Sequence, residues 1–283
     1  MKPRKTMGKE NFECTLCGSC DFEILLRING PDRFERAVGI ADTDYVRYWV
    51  ECQGCGVVSN VHSPENLSKL KTLSAAYYAI DFQSESVSEK FKRIINLPPH
   101  KSDNAQRILR ITAFVRRWFL STHQGRPAFL KIIDIGAGLG VFLSCFLDES
   151  RKEGITWQAT ALDPDPHAAQ HLRSLKQFDV REVEFAGQSE FSGYDLCTLN
   201  KVLEHVENPV FFMQNISKLL SRERGLVYVE VPDAMTINYR DPQDNILGAL
   251  HYHLYNFKSL SYLLSACGLL IYQNMVTFQH FLS

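Results

Sequence analysis

The chain has 283 residues, 45% hydrophobic and 22% charged, with a formal net charge of −1. That length suits a core domain with an appendage, and that composition suits a globular protein able to bury a core. The charge balance gives no general drive toward nucleic acid or anionic lipid. No apolar run reaches membrane-span length, and the basic opening MKPRKTMGKE lacks a signal peptide's apolar stretch, so the expected location is the cytoplasm.

Cysteines mark the first region. Five of the eight lie in the first 55 residues, as C-x2-C-x2-C from Cys14 through Cys17 to Cys20 and, with 34 residues between Cys17 and Cys52, C-x2-C at Cys52 and Cys55. Two such knuckles bring four thiolates into the tetrahedron that Zn2+ prefers, and the metal stabilises a segment too short for a large core. Cys14, Cys17, Cys52 and Cys55 are the expected ligands of a structural zinc, with Cys20 as an alternative to Cys17. A disulfide pair and an iron–sulfur site are the other readings; the first needs an oxidising compartment, and the second fits a closed thiolate shell less well. Glycine follows each knuckle, at Gly18 and Gly56. Cys145, Cys197 and Cys267 read as small buried side chains.

Between the knuckles, FEILLRI and DYVRYWVEC are strand-like and are separated by the turn-rich INGPDRF, which predicts a zinc ribbon with a long hairpin over residues 1–60. From 61 to 128 the pattern becomes helical. Ser63 is a plausible cap with proline after it, and SDNAQRILRITAFVRRWFL places Ile108, Ile111, Val115, Trp118 and Phe119 on one face. Arg107, Arg110, Arg116 and Arg117 lie mostly elsewhere on that helix, as a solvated face or a nucleic-acid contact.

Residues 129–283 open with KIIDIGAGLGVF, an apolar strand running into a glycine-rich turn where a helix should begin. Gly136, Gly138 and Gly140 permit close backbone approach to a ligand, and Asp134 sits at the strand's carboxyl edge. The spacing is G-x-G-x-G, with Val141 where the dinucleotide fingerprint has its last glycine, so a single nucleoside fits better than a pyrophosphate. WQATALDPDP then reads as a second strand, Trp157 to Leu162, ending in Asp163, whose carboxylate can take both ribose hydroxyls.

These stations, IIDIGAGLG, ALDPD and YDLCTLNKVLEHVENP, resemble the class I S-adenosylmethionine-dependent methyltransferases from about Phe129 onward. The resemblance implies an α/β fold, a Rossmann-like sheet preceded by the small zinc ribbon and a helical linker or lid. It implies S-adenosylmethionine bound by Asp134, Ile135, Gly136, Ala137, Gly138, Gly140, Phe142, Asp163, Pro164, Asn200, Lys201 and His205. Strands are expected near 131–135, 157–162, 182–185, 194–199, 226–231 and 269–277. A Rossmann-like domain with an idle or different nucleotide site is the alternative.

The cysteine ribbon followed by AYYAIDFQSESVSEKF and this core is similar to the zinc-binding sugar methyltransferases, especially the nucleotide-sugar C-methyltransferases. That similarity implies a small-molecule acceptor, a sugar nucleotide or related glycan or natural-product intermediate. Tyr77 and Tyr78 would then stack on a sugar or base, or else pack the linker on the core. ALHYHLYNF resembles the family's Tyr-His-Glu-His-Leu segment and places His251 and His253 on its histidines, with Leu250 and Tyr252 where the family has tyrosine and glutamate. Two polar groups used in C-methylation are thus absent, which leaves O- and N-methylation open. His253 is the first choice as base, then His251, and His205 third, unless it bonds locally. Glu230 and Asp233 end the fifth strand, where they either meet substrate or cap the next element. An RNA methyltransferase with a recognition ribbon and a non-catalytic cofactor-binding protein are the competing functions.

Overall fold

Two sheets of opposite strand logic organise the chain in a computed structural model, which describes residues 12–43, 45–73, 85–122, 130–188, 190–222 and 225–274. The described residues fall into two compact units. One gathers those within 12–73, Lys201–Ser217 and Glu230–Asn274; the other gathers those within 85–200 and 218–229.

In the first unit, the expected hairpin is present as β1 (Phe22–Ile28) antiparallel to β2 (Arg47–Cys52), with β3 (Val58–Val61) antiparallel to β2 on its other side. The stretch read as a turn between β1 and β2 holds a short helix, α1 (Arg33–Ala37). Its start is a capping box: the Asp32 carboxylate accepts from the Phe34 and Glu35 amides, while the Glu35 carboxylate accepts from the Asp32 amide. Ser63 caps α2 (Pro64–Leu70) by accepting the Asn66 amide at 3.2 Å, with Pro64 in the first turn as expected.

The second unit begins with α3 (Val87–Ile95) and α4 (Asp103–Thr122). It continues as β4 (Leu130–Ile135), α5 (Val141–Lys152), β5 (Trp157–Leu162), α6 (Pro166–Leu175), β6 (Asp179–Arg181) and β7 (Leu196–Asn200). After α7 (Pro209–Leu219), β8 (Leu226–Glu230) completes a sheet of order β6-β5-β4-β7-β8. β5 and β7 run parallel to β4, and β6 runs parallel to β5. The apolar stripe of α4, Ile108, Ile111, Val115 and Phe119, shares one core with Ile132, Phe146, Leu172 and Leu196. The helix expected in a linker is therefore part of the sheet's own packing.

Three sequence boundaries shift. The third strand is Asp179–Arg181 rather than 182–185, because Asp179 and Arg181 pair with Thr160 and Leu162. The fourth starts at Leu196, with Tyr194 forming only an isolated bridge to Leu220. Residues 269–274 form no strand, and 275–277 lie outside the described residues.

The chain then returns to the first unit. β9 (His253–Leu254) pairs antiparallel with β3, Ser59 opposite His253, giving the order β1-β2-β3-β9. α8 (Phe257–Ala266) follows, and its cap Asn256 donates to the Gly56 carbonyl at 3.1 Å. No helix among the described residues is long and apolar enough to cross a membrane.

Candidate active site and metal centre

Strand order reverses between β4 and β7, so the crevice of this sheet lies beyond the carboxyl ends of β4, β5 and β7. Those ends carry the expected residues. Gly136, Gly138 and Gly140 all have positive φ, and Gly140, at 72°, is the N-cap of α5. A Cβ there would sit 2.7 Å from Leu172 Cδ2, so packing and backbone both demand glycine. The turn is tied to β5 twice: the Ala137 amide donates to the Leu162 carbonyl at 2.9 Å, and the Gly138 amide donates to Asp163 Oδ2 at 2.8 Å. The other Asp163 oxygen accepts the Asp165 amide at 3.0 Å.

The two acids are buried. Burial pushes the Asp134 carboxyl up to about 7, against hydrogen bonds from Thr198 Oγ1 at 2.6 Å and Asn200 Nδ2 at 3.4 Å. Burial likewise raises Asp163 to about 6, with the Asp165 and Gly138 amides opposing. Asn200 Oδ1 is buried and has no hydrogen-bond partner among the described residues. Ile135 is buried beneath the turn and Pro164 is half-buried beside Asp163. Phe142 departs from the expectation: its ring stacks on Phe146 at 5.7 Å and on Tyr228 at 6.2 Å, which places it in the core.

The ribbon's four expected ligands converge. Cys14 and Cys55 sulfurs are 3.6 Å apart, Cys17 and Cys52 sulfurs 3.5 Å apart, and all four lie within 4.8 Å of one another. A tetrahedral Zn2+ with Zn–S bonds of about 2.3 Å separates its sulfurs by about 3.8 Å, so the set fits the ion. Each knuckle closes on the glycine after it: the Gly18 amide donates to the Cys14 carbonyl and the Gly56 amide to the Cys52 carbonyl, both at 2.8 Å. Cys20 is exposed and outside the cluster.

The histidines belong to the ribbon's unit. His253 is 4% exposed, with Nδ1 3.2 Å from Ser59 Oγ and Nε2 3.4 Å from both Thr15 Oγ1 and the Glu207 carbonyl. Burial lowers its pKa to about 4. Both ring nitrogens of the first-choice base are thus occupied inside a sheet. His205 is exposed and His251 half-buried; their rings meet edge to face at 4.5 Å, and their Nδ1 atoms bond the Leu250 and Ile246 carbonyls at 3.0 and 2.8 Å. Burial lowers the His251 pKa as well. Lys201, at φ 56°, donates its amide to the Glu230 carbonyl at 2.8 Å. Asp233 accepts the Met235 amide at 2.9 Å and so caps the turn at Ala234–Tyr239. Tyr77 and Tyr78 lie outside the described residues.

A model of the methyltransferase domain family matches residues 100–274. The chain belongs to that family. It is a class I S-adenosylmethionine-dependent methyltransferase, and two features at the strand ends fit the donor: the left-handed backbone at Gly136, Gly138 and Gly140, and the unpartnered Asn200 Oδ1 at the end of β7. Among solved structures, the methyltransferase is similar to the plantazolicin methyltransferase BpumL in complex with a monoazolic desmethylPZN analog and SAH, with a TM-score of 0.50 and 17% identity over 71% of this chain and 76% of that one. The same enzyme in complex with SAH aligns at 0.49 with 18% identity and the same coverage. The sugar N-methyltransferase KedS8 from Streptoalloteichus sp ATCC 53650 aligns at 0.40, with 14% identity over 53% and 56% of the two chains. At these identities the likeness is one of fold. No curated protein matches the methyltransferase in sequence.

Two residues of this methyltransferase escape a reading of its sequence. Thr198 lies opposite Asp134 in the β4–β7 register and supplies its shortest hydrogen bond, yet in LCTLN it is only another β-branched strand residue. Glu204 is 1% exposed with Oε2 unpartnered among the described residues, although a glutamate beside a histidine after a strand would read as solvent-facing.

Proposed function

We propose that this methyltransferase acts on a small polar acceptor, a sugar nucleotide or a related glycan or natural-product intermediate. The observation that supports this reading is the pairing of His253–Leu254 with β3. It joins the end of the His-x-His-Leu segment, the one that carries the proposed base, to the cysteine ribbon's own sheet, which brings together the two features of the sugar-methyltransferase resemblance.

S-adenosylmethionine, when bound, supplies an electrophilic sulfonium methyl. The chain's task is alignment and exclusion of water, with proton removal where the nucleophile is a hydroxyl. On this reading Asp163, held by the Gly138 and Asp165 amides, takes the ribose. Gly136, Gly138 and Gly140, together with Asn200 Oδ1, would hold the rest of the donor when it is bound. Glu230 meets the acceptor. His205 and His251 serve the acceptor's proton in place of His253, whose nitrogens are engaged. With its Nδ1 held by the Ile246 carbonyl, His251 has Nε2 left to face the acceptor's proton. Leu250 and Tyr252 in place of tyrosine and glutamate favour O- or N-methylation.

The test is transfer of labelled methyl to a panel of sugar nucleotides and to structured RNA. Labelled sugar nucleotide, with turnover but not donor affinity lost in His251→Ala, is the expected result. Labelled RNA with no labelled sugar nucleotide would overturn the reading.

A further inference from the structure

We propose that Glu204, His205 and His251 form a second metal centre, for a divalent first-row transition ion, separate from the four-cysteine site. One ligand atom from each of the three lies within 4.8 Å of the others. Each imidazole is already oriented for the task. Nδ1 of His205 and of His251 faces a backbone carbonyl, at 3.0 and 2.8 Å, and a carbonyl only accepts, so Nδ1 carries the proton in both rings. The lone pair that each ring has left to offer is on Nε2. Fixing a metal-binding histidine through its other nitrogen is how proteins set tautomer and ring direction.

The third donor is the independent observation. Glu204 is 1% exposed, and its Oε2 is buried with no hydrogen-bond partner among the described residues. An unsatisfied carboxylate oxygen in such a place is costly to the fold, and a cation supplies the missing interaction. The ammonium of Lys201 acts on Glu204 through space without bonding that oxygen. The segments are also held together: the Tyr252 amide donates to the Glu204 carbonyl at 2.7 Å, and the Leu250 carbonyl receives the His205 ring. His205 is exposed, which gives an ion a way in.

Two imidazoles and one carboxylate suit zinc, iron, cobalt, nickel or manganese ions better than calcium or magnesium, which prefer all-oxygen shells. Three protein ligands leave a coordination position open, as in catalytic rather than structural sites. An ion here would hold both Nε2 lone pairs, so with metal bound the acceptor's proton would be loosened by its oxygen binding at the open position and not by the imidazoles acting as bases; the metal site itself does not depend on the proposed acceptor.

The experiment uses the full chain with zinc confirmed at the cysteine site, titrated with Co2+ in the absence of donor and acceptor. The expected result is one further equivalent of cobalt, bound saturably, whose visible absorption lacks strong thiolate-to-cobalt charge transfer. Glu204→Gln and His205→Ala should each weaken it more than about 10-fold, while His167→Ala, at an exposed histidine elsewhere, should not. Retained cysteine-site zinc reports that Glu204→Gln is folded, and His205→Ala, at an exposed side chain, carries the test if it is not. Absence of saturable cobalt uptake by the wild-type chain, or unchanged uptake in His205→Ala, would overturn the proposal. Neither result bears on methyl transfer, which is measured separately.

Discussion

The ribbon unit and the parallel-sheet unit bury different chemistry. Around the parallel sheet the interior is a continuous apolar cluster from Ile108 to Leu226. The ribbon unit also buries apolar side chains, Ile28, Trp49, Val50, Val58, Leu203 and Leu254 among them, and sets beside them the paired charges of Glu35 and Arg47, while three of the seven residues of β1 are exposed. Besides that apolar interior the unit has two further sources of cohesion, the four thiolates and an ionic cluster around Glu35. The lesson is that apolar packing forgives local change, whereas a metal shell or a buried ion pair fails at single atoms.

The largest effect should follow from breaking the metal shell. Cys52→Ser should lose one equivalent of zinc by elemental analysis and red-shift the emission of Trp49, fully buried on the same strand. Structural zinc binding is worth on the order of 10 kcal/mol, more than most domains hold in reserve.

Next is the ionic cluster. Glu35 accepts hydrogen bonds from the Tyr45 hydroxyl and the Asp32 amide, and lies 3.7 Å from Arg47 and 3.6 Å from His62. Burial pushes its carboxyl up, but His62, Tyr45, Asp32 and Arg47 more than offset this and hold it below the usual range. Glu35→Gln leaves the Arg47 charge buried without its counter-ion and should cost about 3–5 kcal/mol in denaturant melts.

The sheet unit should respond to pH with the opposite sign from an ordinary salt-bridged acid. Asp134 rises from 3.8 to about 7 because burial favours its protonated form. The stability this confers is full below the unfolded pKa of about 3.9 and is lost as pH rises through the folded value. Chemical melts of wild type should therefore weaken by up to a few kcal/mol between about pH 4 and pH 8, and Asp134→Asn should flatten that slope. Smaller again is Gly140→Ala, which combines a φ of 72° with a Cβ 2.7 Å from Leu172; a loss of about 1–3 kcal/mol in thermal melts is expected.

The same contrast explains what could be read in advance. Ile108, Ile111, Val115 and Phe119 announce α4 because one apolar face repeats with helical period, and the glycine turn announces itself because its backbone needs are local. The cysteine ligands were legible for a different reason: sulfur at that spacing has few other uses. What stayed hidden depends on distant partners. A two-residue strand such as β9 has no period, and its pairing with Ser59 joins positions 194 residues apart. The helix Arg33–Ala37 hid among turn-forming residues because its signal is one Asp–Glu capping box. β6 was displaced by a few residues since a three-residue edge strand takes its register from β5.

Donor binding tests the central claim most directly. Calorimetry with S-adenosylmethionine and its demethylated product should give saturable association with the folded wild-type chain. In Asp163→Asn, with melting behaviour retained, affinity should fall at least about 10-fold, or ~1.4 kcal/mol. No heat of association in folded wild-type protein, or undiminished affinity in Asp163→Asn, would contradict the account.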